Sequence, residues 1–236
     1  LIQAICVRLP GSAKTAFPRF FWGRFARSLG LDVRVVGQLA SKRNGRPIIF
    51  VSNHSSWVDI PVVGAALPGS FVAKGDVAGW PVIGTIARLG RTVFVSRQRG
   101  STARERDEMV GLLGNGNNLI LFPEGTSSDG SRVLPFRSTF FSIAECEAKP
   151  VIQPVSVVYD RIDGFPAGRA SRPVTAWYGD MDIASHFWRM GRHRGMRATV
   201  LLHTPLDPAG FANRKALCQA VWQTVADGAS TLRQNR

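Results

Sequence analysis

Asn53-His54-Ser55-Ser56-Trp57-Val58-Asp59 is the segment of this chain whose residue types and spacing can do acid–base chemistry. It follows the apolar run Ile48-Ile49-Phe50-Val51, which reads as a buried strand. A strand end that delivers a histidine and then an aspartate can supply a general base and its orienting carboxylate. On a regular helix, positions i and i+5 lie about 140° apart and cannot meet. A His54–Asp59 pair therefore requires His54 in the turn after the strand and Asp59 on the first turn of the next helix. The alternative is that His54 caps that helix and Asp59 is a solvated first-turn acid; these seven residues alone leave both open.

The other histidines lack this setting. His186 sits in a basic aromatic stretch, His193 in Arg192-His193-Arg194, and His203 just before Thr204-Pro205. None stands at a strand-to-helix turn beside small polar residues, and all three read as surface or loop histidines. Cys6, Cys146 and Cys218 are odd in number and far apart, with no CxxC and no spacing to histidine that would hold a metal. They read as small hydrophobes of a reduced, cytosol-facing compartment.

The elements that must position His54 and Asp59 follow from the pattern around them. Strands are predicted at Asp32–Val36, Pro47–Val51, Ser70–Ala73, Thr92–Val95, Asn118–Phe122, Val151–Val158, Val174–Gly179 and Ala198–His203. Helices are predicted at Trp57–Ala66, Pro81–Leu89, Ala103–Leu113, Thr139–Glu147 and Asn213–Leu232. This alternation predicts an α/β domain, its sheet largely parallel but mixed and flanked by helices. Ligands of open α/β sheets bind beyond the carboxyl ends of the strands. Three chemically loaded segments lie at such ends: His54–Asp59, Arg97 after Val93-Phe94-Val95-Ser96, and Pro123-Glu124-Gly125-Thr126 after Leu119-Ile120-Leu121-Phe122. Their convergence favours the catalytic reading of His54.

Residues 1–31 read as an N-terminal amphipathic segment and 32–236 as a single domain. Residues 15–29 read as helical after Pro18, and Phe17, Phe21, Phe25 and Leu29 recur every four residues beside Arg19, Arg24 and Arg27. Aromatics and arginines together suit a helix docked at a membrane interface; the alternative is a helix packed on the domain. His186-Phe187-Trp188-Arg189-Met190-Gly191-Arg192-His193-Arg194 is a second basic aromatic segment, read as a further bilayer contact or as a solvated loop. The net charge is +14, carried by 30 Lys and Arg (25 of them Arg) against 16 acids. Such a field suits an anionic partner: nucleic acid, anionic lipid, or an acidic acyl carrier or CoA. No nucleic-acid module is visible and the arginines are dispersed, so the reading is of no nucleic-acid partner. No run of about 18 apolar residues marks a transmembrane helix and no signal-peptide pattern is present. The sequence begins at Leu1 rather than Met, which leaves room for an upstream anchor.

Four blocks in order resemble the glycerolipid acyltransferase family, of which the 1-acyl-sn-glycerol-3-phosphate acyltransferases are members. They are His54 with Asp59; Gly90-Arg91-Thr92-Val93-Phe94-Val95-Ser96-Arg97; Phe122-Pro123-Glu124-Gly125-Thr126; and Val151-Ile152-Gln153-Pro154-Val155. Lys74 and Leu134-Pro135-Phe136-Arg137 resemble further family segments. The resemblance implies a glycerol-3-phosphate acyltransferase-like fold and transfer of an acyl chain to the sn-2 hydroxyl of 1-acyl-sn-glycerol-3-phosphate. Acyl-CoA or acyl carrier protein would be the co-substrate, with no cofactor and no metal, at the cytoplasmic face of the membrane. His54 would be the base, needing a neutral imidazole, and Asp59 would hold its tautomer. Ser55 and Ser56 would be turn residues, Ser56 as a nucleophile being the lesser alternative. Arg97 and Lys74 would bind phosphate, while Glu124, Gly125 and Thr126 would line the acceptor site.

One departure bears on the acceptor. Many members of the family place arginine directly after Glu-Gly-Thr, where this chain has Ser127-Ser128-Asp129-Gly130. Arg132 or Arg137 can compensate for the missing cation. The variant also resembles bacterial members that acylate other lysolipids, including lyso-ornithine lipid.

Overall fold

A computed structural model describes residues 13–41, 45–75, 92–95 and 102–234. Helix α1 spans Ala13–Ser28 and strand β1 Leu31–Val36; then come β2 (Ile48–Ser52), α2 (Asp59–Ala66), β3 (Ser70–Lys74), β4 (Val93–Val95), α3 (Thr102–Gly114) and β5 (Leu119–Leu121). A 3-10 helix covers Ser138–Glu145, followed by β6 (Val151–Ile162), β7 (Phe165–Pro166), the short turn α4 (Arg172–Thr175), α5 (Ile183–Met190), β8 (Met196–Leu202) and α6 (Arg214–Arg233).

The strand order is β1-β8-β6-β2-β5-β3-β4, with β7 hairpinned onto β6. Strands β6, β2, β5, β3 and β4 run parallel to one another, while β8 lies antiparallel to β6 and takes β1 with it in parallel. The expected mixed, largely parallel sheet flanked by helices is what the chain forms. All five residues of β2 are buried, as an apolar run covered on both faces requires. The period of two then sorts side chains onto two cores. Ile48, Phe50, Ile120, Val155 and Val157 pack on one face with Ala26 of α1 and Val62 and Val63 of α2. Ile49, Val51, Leu119, Leu121 and Ile152 pack on the other with Met109 of α3, Phe141 of the 3-10 helix and Val221 and Val225 of α6.

Three expectations are corrected. Val174–Gly179 is not a strand: its β-branched and aromatic residues follow Pro173, and the chain makes the α4 turn and then leaves regular structure. The expected helix at Thr139–Glu147 is a 3-10 helix ending at Glu145. Strand β6 continues past Val158 to Ile162, because β8 pairs with its whole second half. The predicted helix Pro81–Leu89 and the residues around Arg97 lie outside the described residues.

Helix α1 begins before Pro18 and packs on α2. A Cβ on Gly64 would sit 2.5 Å from Trp22 Cδ1, so the indole lies on bare backbone. Arg19 Nη2 donates to Ala66 O at 3.4 Å. The opposite side of the helix leaves Phe20 64% exposed, with Phe25 partly so.

Candidate active site

Where β2 ends, Asn53 takes over the ladder. Its side-chain amide donates to Val157 O at 3.0 Å and accepts from Val157 N–H at 2.8 Å, in place of a strand residue of β2. The main chain is thereby free to turn at His54. Asp59 opens α2, as the spacing required, and His54 Nδ1 lies 2.9 Å from Asp59 Oδ2. The same oxygen accepts the Ser55 and Ser56 N–H groups at 2.6 and 2.9 Å. The other oxygen accepts the Tyr159 hydroxyl of β6 at 2.7 Å. Asp59 is fully buried, so its charge is carried by four donors rather than by water. Burial first, and then the Asp59 charge and hydrogen bond, push the Tyr159 phenol well above its ordinary value, which keeps it a donor.

The imidazole stacks on Phe122 with ring centroids 4.4 Å apart. Its side chain keeps 20% exposure, and Nε2 has no hydrogen-bond partner among the described residues. With Nδ1 directed at the carboxylate, Nε2 is the nitrogen free to take a proton.

Glu124, after β5, has a positioning task that the sequence did not show. It is 3% exposed, and its two oxygens accept the His54 N–H at 2.7 Å and the Leu134 N–H at 2.9 Å. It ties the His54 turn to the loop that follows, with one backbone donor on each oxygen. Burial pushes its carboxyl up to about 8, against the pull of those two N–H bonds. Gly125 has φ +68, and Arg137 lies across it, its Cζ 3.1 Å from where a Cβ would sit. A side chain there would displace the guanidinium as well as strain the backbone. Thr126 is exposed on the same turn. Lys74 is the last residue of β3, in register with Val95 of β4; Arg97 lies outside the described residues.

Tyr159, which the sequence reading passed over, completes the Asp59 hydrogen-bonding set, and two of the other histidines are more buried than that reading had them. Tyr159 lay just beyond the predicted end of its strand; a tyrosine continuing an apolar run was the available signal. His186 is fully buried rather than on the surface, and its Nδ1 accepts the Trp57 indole N–H at 3.0 Å. His203 is also withdrawn from the surface, bonded to Ser156 Oγ at 2.8 Å. The segment around His186 is helix α5, not a loop. Residues i and i+4, His186 and Met190, face inward, while Phe187 and Trp188 are exposed. Ser56 Oγ is buried, without a hydrogen-bond partner and without a bond to His54, so nothing in the geometry activates it as a nucleophile. Among the described residues, no cluster of His, Cys, Asp or Glu could hold a metal ion, and no helix is long and apolar enough to cross a membrane.

A strand-end histidine locked to a buried aspartate fits proton abstraction from a substrate hydroxyl. A lyso-ornithine lipid O-acyltransferase of Brucella abortus (strain 2308) is 38% identical over 226 residues, covering 93% of this chain and 84% of that protein. A 1-acyl-sn-glycerol-3-phosphate acyltransferase of Neisseria gonorrhoeae is 29% identical over 202 residues, covering 85% and 74%. In fold, the chain matches the crystal structure of the 1-acyl-sn-glycerophosphate acyltransferase PlsC of Thermotoga maritima with a TM-score of 0.70 at 24% identity, covering 98% of this chain and 87% of that one. The sequence model described as Acyltransferase matches residues 32–158, the span that holds His54, Asp59 and Glu124, and the chain belongs to that acyltransferase family.

Proposed function

We propose that this protein acylates the hydroxyl of a lysolipid, with lyso-ornithine lipid as its acceptor. The observation that carries the chemistry is the His54–Asp59 pair, with Nε2 of the imidazole unengaged by any described residue. His54 Nε2 takes the hydroxyl proton as the oxygen attacks the thioester carbonyl of acyl-CoA or an acyl carrier protein. The tetrahedral intermediate then collapses, the C–S bond breaks, and the thiolate leaves with the proton that His54 returns. Asp59 holds the Nδ1–H tautomer and offsets the imidazolium charge, as the acid of a hydrolase triad does. No acyl-enzyme forms and no metal or cofactor takes part. Glu124 positions His54 through its backbone, and Gly125, Thr126 and Arg137 border the site. Lys74 and Arg97 are assigned to anionic groups of the substrates.

Two observations support the acceptor. The relative of higher identity is named for lyso-ornithine lipid, and Ser127 stands directly after Glu124-Gly125-Thr126, where a phosphate-binding arginine would suit 1-acyl-sn-glycerol-3-phosphate. The second reading, acylation of 1-acyl-sn-glycerol-3-phosphate to phosphatidic acid, draws on the Neisseria relative. Lipid mass spectrometry of reactions offering both acceptors with one acyl-CoA decides between them. A higher kcat/KM for lyso-ornithine lipid is expected, and product from the glycerophosphate alone would overturn the acceptor. The same assay with His54→Ala should show turnover lower by about 100-fold or more.

The protein works at an anionic membrane surface, docked peripherally. The +14 charge and the exposed Phe20, Phe187 and Trp188 favour this.

A further inference from the structure

Behind the catalytic turn lies a cleft of about 290 Å³. Its walls include Ser55 and Tyr159, which hold Asp59, together with Asp129, Arg169, Arg172 and Arg233. None of the three arginines forms an ion pair with a described residue. The carboxylate of Asp160, also in the wall, is already engaged by Arg197, whose Nε donates to both oxygens at 3.0 and 3.2 Å. Asp129 is held through one oxygen, which accepts the Ser131 N–H at 2.9 Å and Oγ–H at 2.6 Å; the other has no hydrogen bond among the described residues. The cleft therefore offers three unpaired cations and one available carboxylate oxygen.

Arg172 and Arg233 line the same cleft. Burial first, and then the Arg172 charge, hold the Arg233 guanidinium below its ordinary value. Asp129 acts on both arginines across the cleft but forms no ion pair with either, so the wall keeps an excess of positive charge that suits a visiting anion. A simple anion leaves Asp129 unused. A head group with a carboxylate at one end and an ammonium at the other satisfies both sides, and an ornithine head group carries both. Asp129 belongs to the Ser127-Ser128-Asp129 segment that stands directly after Glu124-Gly125-Thr126, so the loop that lacks the extra cation supplies the acid.

We propose that this cleft binds the zwitterionic head of the acceptor, its carboxylate on Arg172 and Arg233 and its ammonium toward Asp129. The proposal rests on the acceptor assigned above and makes Arg172, Arg233 and Asp129 specificity residues outside the acid–base pair.

The test is steady-state kinetics of the full chain and of Arg172→Ala, Arg233→Ala, Arg233→Lys and Asp129→Asn, with one acyl-CoA. The acceptors are lyso-ornithine lipid, its carboxyl methyl ester, and its side-chain N-acetyl derivative. Each Arg→Ala change should raise the KM for lyso-ornithine lipid by about tenfold or more, with kcat and the acyl-CoA KM unchanged. The methyl ester should have a high KM already in the wild type and be indifferent to the arginines. Asp129→Asn should raise the KM of the free amine but not of the N-acetyl derivative. Arg233→Lys, which keeps the charge, should recover part of the loss and so separate binding from damage to the fold. A wild type that leaves lyso-ornithine lipid unacylated overturns the acceptor and the cleft assignment together. A wild type that acylates it while the arginine variants bind it normally, or lose acyl-CoA instead, overturns the cleft assignment alone.

Discussion

Asp59→Asn separates the shape of the site from its charge. Asp59 Oδ2 faces three donors, His54 Nδ1 and the Ser55 and Ser56 N–H groups, while Oδ1 faces the Tyr159 hydroxyl. Backbone amides can only donate, so an asparagine must turn its oxygen toward them and its NH2 toward Tyr159, whose oxygen can accept. The Nδ1–H tautomer of His54 is then kept. What disappears is the negative charge beside the imidazolium that forms when the acceptor hydroxyl gives up its proton. At the 2.9 Å separation, a full charge pair at an effective dielectric constant of about 20 is worth about 6 kcal/mol, which sets the ceiling. The difference between a charge-assisted and a neutral hydrogen bond, about 1 kcal/mol, sets the floor. These limits bracket a fall in kcat of between about 5-fold and about 25,000-fold. Stability should fall by only about 1–2 kcal/mol, because four weakened bonds remain bonds. At this chain length that is a melting shift of roughly 2–8 °C. Single-turnover acyl transfer beside thermal melting reads both quantities. A kcat indistinguishable from wild type would refute the electrostatic role of Asp59, and collapse of the fold would refute the amide orientation.

Tyr159→Phe should leave Asp59 Oδ1 buried without a donor, costing about 1–3 kcal/mol and lowering the melting temperature by several degrees; an unchanged melt would mean the carboxylate is held without it. For Glu124, the folded value of about 8 lies above the ordinary 4.5, so the folded chain holds a proton that the unfolded chain has lost. That stabilisation is complete below about pH 4.5 and lost as pH rises through about 8. Relative to Glu124→Gln, wild-type stability should decline across this window by up to about 1.4 kcal/mol per pH unit. Parallel curves for the two proteins would show that the two N–H donors keep the carboxylate charged. Phe20→Ser should weaken sedimentation with anionic vesicles by about tenfold at high salt, by the burial value of one aromatic side chain. Unchanged sedimentation would remove α1 from the docking surface. Deleting residues 1–30 is a poorer test, since Trp22 and Ala26 pack into the domain.

The positions of His54, Asp59 and Glu124 at strand ends were legible because a buried apolar run, a polar turn and a new helix leave few other arrangements. The pairing of His54 with Asp59 was readable as a geometric condition and is met. The partners that come from afar were not readable. Tyr159 reaches Asp59 across the β2–β6 pairing, which no local pattern announces. His186, followed by a basic aromatic stretch in the sequence, goes inside because helical periodicity turns it and Met190 inward together. At Val174–Gly179, residue preferences favoured a strand, but no sheet edge receives the segment; instead Trp177 N–H caps Ser55 O at 2.9 Å. The hold of Glu124 on the His54 and Leu134 N–H groups was not readable either, because backbone donors leave no trace in side-chain spacing.

The central place of β6 has a consequence for how the protein is made. It pairs β2 in register from Ile48 opposite Val151, a closure over on the order of 100 residues, and such pairings form slowly. A ribosome delivers His54, Asp59 and Glu124 well before that strand. Until it arrives, the apolar edge of β2 is bare, the Asn53 amide has no ladder to join, and one oxygen of Asp59 has no donor. The half-made chain thus lacks part of the Asp59 hydrogen-bonding set and bares an unpaired strand edge, the kind of species a holding chaperone meets. That set closes only when the second half of the sequence slots into the middle of the first.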